Sequence, residues 1–210
     1  MRLFFAILAL LAVAPQTGRA ADGPIRLLVL GDSLTAGYGL PASQAFPLRL
    51  QARLLAAGRN VKVINAGVSG DTTAGGLARL GWALADKPDF AIIELGANDA
   101  LRGIDPKSTF QNLDRIIARL TRAGIKILVT GMYAPPNWGR EYTEQFDAIF
   151  PKLAKKYDVM LYPFFLDGVA TLPKLNQPDG IHPNAAGVEE IVDRITPYVL
   201  RLLRNHPRGS

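Results

Sequence analysis

Apolar and polar positions follow two different rhythms along this chain. Ile25–Leu30 (IRLLVL) is a near-continuous apolar run closed by Gly31, the pattern of a strand buried on both faces. Within Pro47–Ala57, Leu48, Leu50, Leu54 and Leu55 recur near helical spacing, and Gly58 is a plausible stop. Val61–Asn65 (VKVIN) predicts a second strand, Thr73–Ala85 a helix with Leu77, Leu80 and Leu84 on its face, and Phe90–Leu95 (FAIIEL) a third strand. Asp105-Pro106 reads as an N-cap followed by proline at the first helical position. The helix it opens puts Phe110, Leu113, Ile116, Ile117 and Leu120 on one side and stops at Gly124. Ile125–Thr130 (IKILVT) predicts a fourth strand, Glu141–Tyr157 a helix, Val159–Tyr162 a short fifth strand and Ala185–Arg204 a closing helix.

Strands alternating with helices, with apolar rather than alternating strands, predict an α/β domain: a parallel sheet covered by helices on both faces. Such sheets bind ligands outside the carboxyl ends of their strands, so catalytic side chains are expected just after strands.

The first 20 residues break this pattern. Arg2 precedes the unbroken apolar run Leu3–Ala14, then come Pro15 and the small-residue site Gly18-Arg19-Ala20. That order predicts a secretory signal peptide over residues 1–20, cleaved after Ala20, and an exported domain over 21–210. The run of 12 residues is short of the roughly 20 that span a bilayer, so an anchor is the weaker reading. Export predicts a periplasmic or secreted protein, expected as a monomer.

A length of 210 residues suits one domain, and 49% apolar with 20% charged residues is an ordinary globular composition. The absence of cysteine excludes disulfides, a thiol nucleophile and any cysteine-based zinc site. The formal charge of +6 becomes +4, from 22 basic and 18 acidic residues, once Arg2 and Arg19 are removed. The basic residues are scattered and interleave with no aromatic stripe, which leaves nucleic-acid binding unsupported and allows at most a transient contact with a membrane surface.

Ser33 meets the demand for chemistry after a strand. It lies three residues beyond Leu30, in Gly31-Asp32-Ser33-Leu34, where a helix start would set its hydroxyl near backbone N–H donors; taken alone it reads equally as an N-cap. Only two histidines exist. His206 sits in the tail, whereas His182 lies in Asp179-Gly180-Ile181-His182-Pro183, where a glycine turn lets Asp179 reach the imidazole three positions on. A serine activated by such a pair performs acyl transfer. The oxyanion needs donors, and two loops offer them: Gly70 after the second strand and Asn98 after the third. Turn or cap roles are the alternative for each taken singly.

These four blocks, Gly31-Asp32-Ser33-Leu34, Gly70, Gly96-Ala97-Asn98-Asp99 and Asp179-Gly180-Ile181-His182-Pro183, resemble the SGNH, or GDSL, hydrolase superfamily. Ser69-Gly70-Asp71-Thr72, Leu101-Arg102-Gly103, Tyr142, Pro151–Lys155 and Pro163-Phe164-Phe165 add a closer similarity to bacterial exported esterases with thioesterase, lysophospholipase and arylesterase activities. The resemblance implies a flavodoxin-like three-layer α/β/α sandwich with a five-stranded parallel sheet. It implies Ser33 as nucleophile, His182 as base, Asp179 as its orienting carboxylate, and Ser33 N–H, Gly70 N–H and the Asn98 side chain as the oxyanion hole. It implies no metal and no organic cofactor. The expected substrate is a small acyl ester, thioester or lysophospholipid.

The segments Leu101–Ile104 and Tyr133–Tyr142 follow the third and fourth strands, so Leu101, Ile104, Tyr133, Pro135 and Tyr142 are candidates to wall an acyl groove; ordinary loop packing is the alternative. The loop Gly131–Trp138 is richer in proline and aromatics than the resemblance leads one to expect. A carbohydrate deacetylase is the rival within the esterases. A non-catalytic binding module on the same fold is a rival outside them. A dinucleotide-binding protein is another, on Gly37-Tyr38-Gly39-Leu40-Pro41-Ala42, but that segment stands too far from the first strand and no acidic residue closes the second.

Overall fold

The computed structural model describes residues 23–205. The expected signal peptide, residues 1–20, and His206 lie outside the described residues.

Five parallel strands form one sheet: β1 (Ile25–Gly31), β2 (Val61–Gly67), β3 (Phe90–Glu94), β4 (Lys126–Thr130) and β5 (Met160–Tyr162), in the order β2-β1-β3-β4-β5. That order is the flavodoxin-like arrangement, with its switch point between β1 and β3. Burial follows position in the sheet. Every residue of β3 is buried, whereas β2, at the edge, exposes Lys62 and Asn65.

The helices are α1 (Ser33–Ala36), α2 (Phe46–Ala56), α3 (Thr73–Ala83), α4 (Ala97–Leu101), α5 (Pro106–Arg122), α6 (Arg140–Asp147), α7 (Ile149–Tyr157) and α8 (Ala185–Leu202). α2 packs with α8, and α5 with α3 and α7, so the sheet lies between two helical layers. In α2 the buried stripe is Phe46, Leu50 and Leu54, spaced by four; Leu48 and Leu55, expected beside them, point outward. α5 starts as expected: the Asp105 side chain accepts from Lys107 N–H, with Pro106 next in line. One expected helix, Glu141–Tyr157, is two, because Pro151 lacks the N–H for the Asp147 carbonyl and its ring crowds it.

All five strands point their carboxyl ends to one rim. The segment with Gly37 and Gly39 follows α1 rather than β1, so it is not the first strand-to-helix turn that a dinucleotide needs. Among the described residues no helix is long and apolar enough to cross a membrane, and no cluster of three metal-binding side chains occurs.

Candidate active site

Ser33 leaves β1 after a two-residue step and is the first residue of α1. The cap is Asp32, whose Oδ1 accepts from Leu34 N–H at 3.0 Å. Ser33 is therefore not itself the N-cap, and its own N–H has no helical carbonyl to reach. Its O–H donates to His182 Nε2 at 2.9 Å, joining positions 149 residues apart.

His182 is held from the other side by Asp179. Gly180, at φ +74°, turns the chain so that Asp179 Oδ1 accepts from Ile181 N–H and His182 N–H, each at 3.0 Å, while Oδ2 faces His182 Nδ1 at 2.7 Å. The hydrogen bond from the ring, then those from the two backbone N–H groups, hold the Asp179 carboxyl down to about 2. An ionised carboxylate can only accept, so Nδ1 carries the proton and Nε2 is left to accept from Ser33. The Tyr38 ring packs against the imidazole with centroids 4.6 Å apart.

Asn98 comes from the start of α4, one loop away from β3. Its Nδ2 donates one hydrogen to Asp32 Oδ2 at 3.1 Å, and a second hydrogen remains for a ligand. Neighbouring Asp99 is buried and fixes this loop to two helices: its carboxylate accepts from Thr73 N–H (2.8 Å), Thr73 O–H (2.6 Å) and Thr109 O–H (3.1 Å). Gly70 stands in the loop after β2 at φ +83°, a conformation that favours glycine. Arg102 donates to its carbonyl at 2.8 Å. Arg79 ties the ends of the first two strands together, donating to Gly31 O (2.8 Å) and Ala66 O (2.7 Å) while paired with Asp71.

Two carboxyls lie beneath the serine. Asp32 is fully buried, and burial pushes it up to about 6 against the opposing pull of Leu34 N–H, Asn98 and His182. Glu94, the last residue of β3, accepts at Oε2 from Thr35 O–H (2.7 Å) and Asp32 N–H (3.2 Å), while Oε1 has no partner. Burial first, and the Asp32 charge second, hold it well above the usual carboxylate range. An ionised group there would leave a charged oxygen unmet, which favours the neutral acid. Neither carboxyl was singled out from the sequence, because nothing in a lone Asp or Glu reports its depth.

Ser33, Asn98 and His182 open into a cavity of about 300 Å³ whose other walls are largely apolar. Leu101, Tyr133 and Pro135 line it, as do Met132, Phe164 and Ile181, which sequence reasoning did not assign to the groove. Phe164 had a signal, the Pro163-Phe164-Phe165 block after β5. Ile104 and Tyr142, expected in the wall, do not line it: Tyr142 O–H donates to Ile104 O at 2.9 Å, behind the Leu101 segment, so the pair braces the loop instead. Gly70 and Asp179 also stand outside the lining.

A family model described as GDSL-like Lipase/Acylhydrolase family matches residues 29–189. An arylesterase of Vibrio mimicus is 46% identical over 185 residues, covering 88% of this chain and 92% of that protein. Thioesterase 1/protease 1/lysophospholipase L1 of Escherichia coli strain K12 is 42% identical over 205 residues, covering 97% of this chain and 92% of its own length. Among solved structures, AlinE4, an SGNH-hydrolase family esterase, is 50% identical with a TM-score of 0.73, covering 86% of this chain and 97% of that one.

Proposed function

Because the chain belongs to the GDSL-like lipase/acylhydrolase family, we propose that it hydrolyses acyl esters through an acyl-enzyme on Ser33. It is a serine esterase of the GDSL type, with thioesters within its chemistry. The observation that carries the assignment of residues is the relay Ser33–His182–Asp179, at 2.9 and 2.7 Å, at the mouth of an apolar cavity.

Ser33 Oγ attacks the carbonyl as its proton passes to His182 Nε2. The carbonyl oxygen takes up the electron pair and is met by Ser33 N–H, Gly70 N–H and the free Asn98 hydrogen. The tetrahedral intermediate collapses, His182 gives its proton to the departing alcohol or thiol, and the acyl group stays on Ser33. Water then repeats the sequence, with His182 as base, and releases the acid. Asp179 stays ionised throughout and stabilises the imidazolium.

The apolar cavity favours a short or medium acyl chain over an acetyl group on a sugar, which supports simple esters and lysophospholipids over carbohydrate deacetylation. Export to the periplasm or the medium, on the strength of Arg2 and Leu3–Ala14, makes such esters more accessible than cytosolic thioesters. Purified Ser33→Ala is expected to lose at least about 1000-fold in turnover of p-nitrophenyl esters and to escape fluorophosphonate labelling. Wild-type turnover in that variant overturns the proposal.

A further inference from the structure

Ser33 and His182 reside on segments from opposite ends of the chain, and their hydrogen bond is only as good as the docking of those segments. The serine segment runs through α1 to Tyr38 and Gly39. The histidine loop runs from Asn176 to Pro183, closed on itself by an antiparallel bridge between those two residues. Gln177 lies where the segments meet. Its Nε2 donates one hydrogen to Tyr38 O at 2.8 Å and the other to Pro183 O at 3.0 Å. Its backbone N–H donates to His182 O at 2.7 Å, and its carbonyl accepts from Gly180 N–H at 2.9 Å.

Both amide hydrogens of one side chain are thus spent on carbonyls flanking the two catalytic groups, five positions after Ser33 and one after His182. Gly39 makes room for it: a Cβ there would overlap Gln177 Oε1. The carbonyl of Tyr38 is gripped by Gln177 while the ring of Tyr38 packs on His182, so one residue of the serine segment touches the histidine loop twice.

We propose that Gln177 is a positioning residue that sets the Ser33–His182 geometry by bridging the backbones of the two segments through its side-chain amide. The inference rests on the reading of Ser33 and His182 as nucleophile and base, and concerns a residue that touches neither the substrate nor the reacting atoms. A displacement of about 1 Å at such a site costs on the order of 100-fold in rate. The bond to Pro183 O lies within the histidine loop, and only the bond to Tyr38 O crosses to the serine segment, so loss of the amide loosens the register between the segments.

Gln177→Met keeps the size of the side chain and removes both donors. With p-nitrophenyl butyrate as substrate, kcat is expected to fall roughly 10- to 100-fold with KM within about twofold. The rate of fluorophosphonate labelling should fall in parallel, while the urea midpoint changes little. Gln177→Leu also removes both donors and is expected to give the same split; it serves equally if Gln177→Met does not fold. Wild-type kcat and labelling rate in either folded variant overturns the proposal. So does a loss that tracks only the fraction unfolded, or one confined to KM. A wild-type chain that hydrolyses no ester and takes no label overturns the catalytic reading, and this one with it; an active wild type with an equally active Gln177→Met overturns this one alone.

Discussion

The Asn98 amide is oriented from beneath: Asp32 Oδ2 accepts from its Nδ2 at 3.1 Å, although the two residues follow different strands and stand 66 positions apart. Asp32 also caps α1, so one buried carboxylate fixes both the helix start that carries Ser33 and the Asn98 side chain proposed as an oxyanion donor. Asn98→Ala is expected to lower kcat roughly 100- to 1000-fold with KM little changed, because an oxyanion donor acts on the transition state more than on bound ester. Steady-state kinetics on p-nitrophenyl butyrate measures this split.

Glu94→Gln is expected to be mild. A neutral amide reproduces a neutral acid, so Oε1 of the new side chain can accept from Thr35 O–H and Asp32 N–H as before, with a stability change under about 1 kcal/mol. Glu94→Ala removes both bonds and leaves a cavity under the serine, at a cost of about 2–4 kcal/mol. Urea unfolding at pH 7 separates the two; a Gln variant as unstable as the Ala variant would show that Glu94 works as an ion.

Asp179→Asn removes the charge that selects the histidine tautomer, and kcat is expected to fall between about 100- and 10,000-fold. The pH dependence has a definite sign. The folded carboxyl lies at about 2, below the ordinary aspartate value of 3.8, so its contribution to stability is present above 3.8 and is lost as pH falls through about 2. The stability gap between wild type and Asp179→Asn should therefore be constant above about pH 4 and close as pH approaches 2, measured by urea titration across that range.

Gly31→Ala tests the close packing behind the nucleophile. A Cβ at Gly31 would overlap Thr35 Oγ1 and stand 2.5 Å from Glu94 Oε2, so one of them must move. The expected cost is about 1–3 kcal/mol, with a fall in kcat because Asp32 N–H loses its acceptor geometry. Thermal unfolding followed by circular dichroism reads the first effect.

Ala170→Leu narrows the apolar cavity that Ala170 helps to line and that is proposed to take the acyl chain. Hydrolysis of long p-nitrophenyl esters should fall at least about tenfold relative to acetate or butyrate, as one or two methylenes of lost space are worth roughly 1–3 kcal/mol. A chain-length series on both proteins measures the ratio, and an unchanged ratio would place the acyl chain elsewhere.

Much of this protein was written locally. Strands β1 to β4 and the start of α5 follow from apolar runs, glycine stops and the Asp105-Pro106 cap, because these act over a few residues. Ser33, Asn98, Asp179 and His182 were nameable from short motifs, since each needs only a strand end or a glycine turn to be presented. Tertiary structure alone decided what lies between them. Burial made Glu94 and Asp32 a carboxyl pair, and loop packing made Tyr142 a brace rather than a wall. The docking of two distant segments gave the Gln177 amide its two carbonyls. Depth and long-range proximity belong to the whole fold, and a linear string of residues carries no distance between positions far apart in the chain.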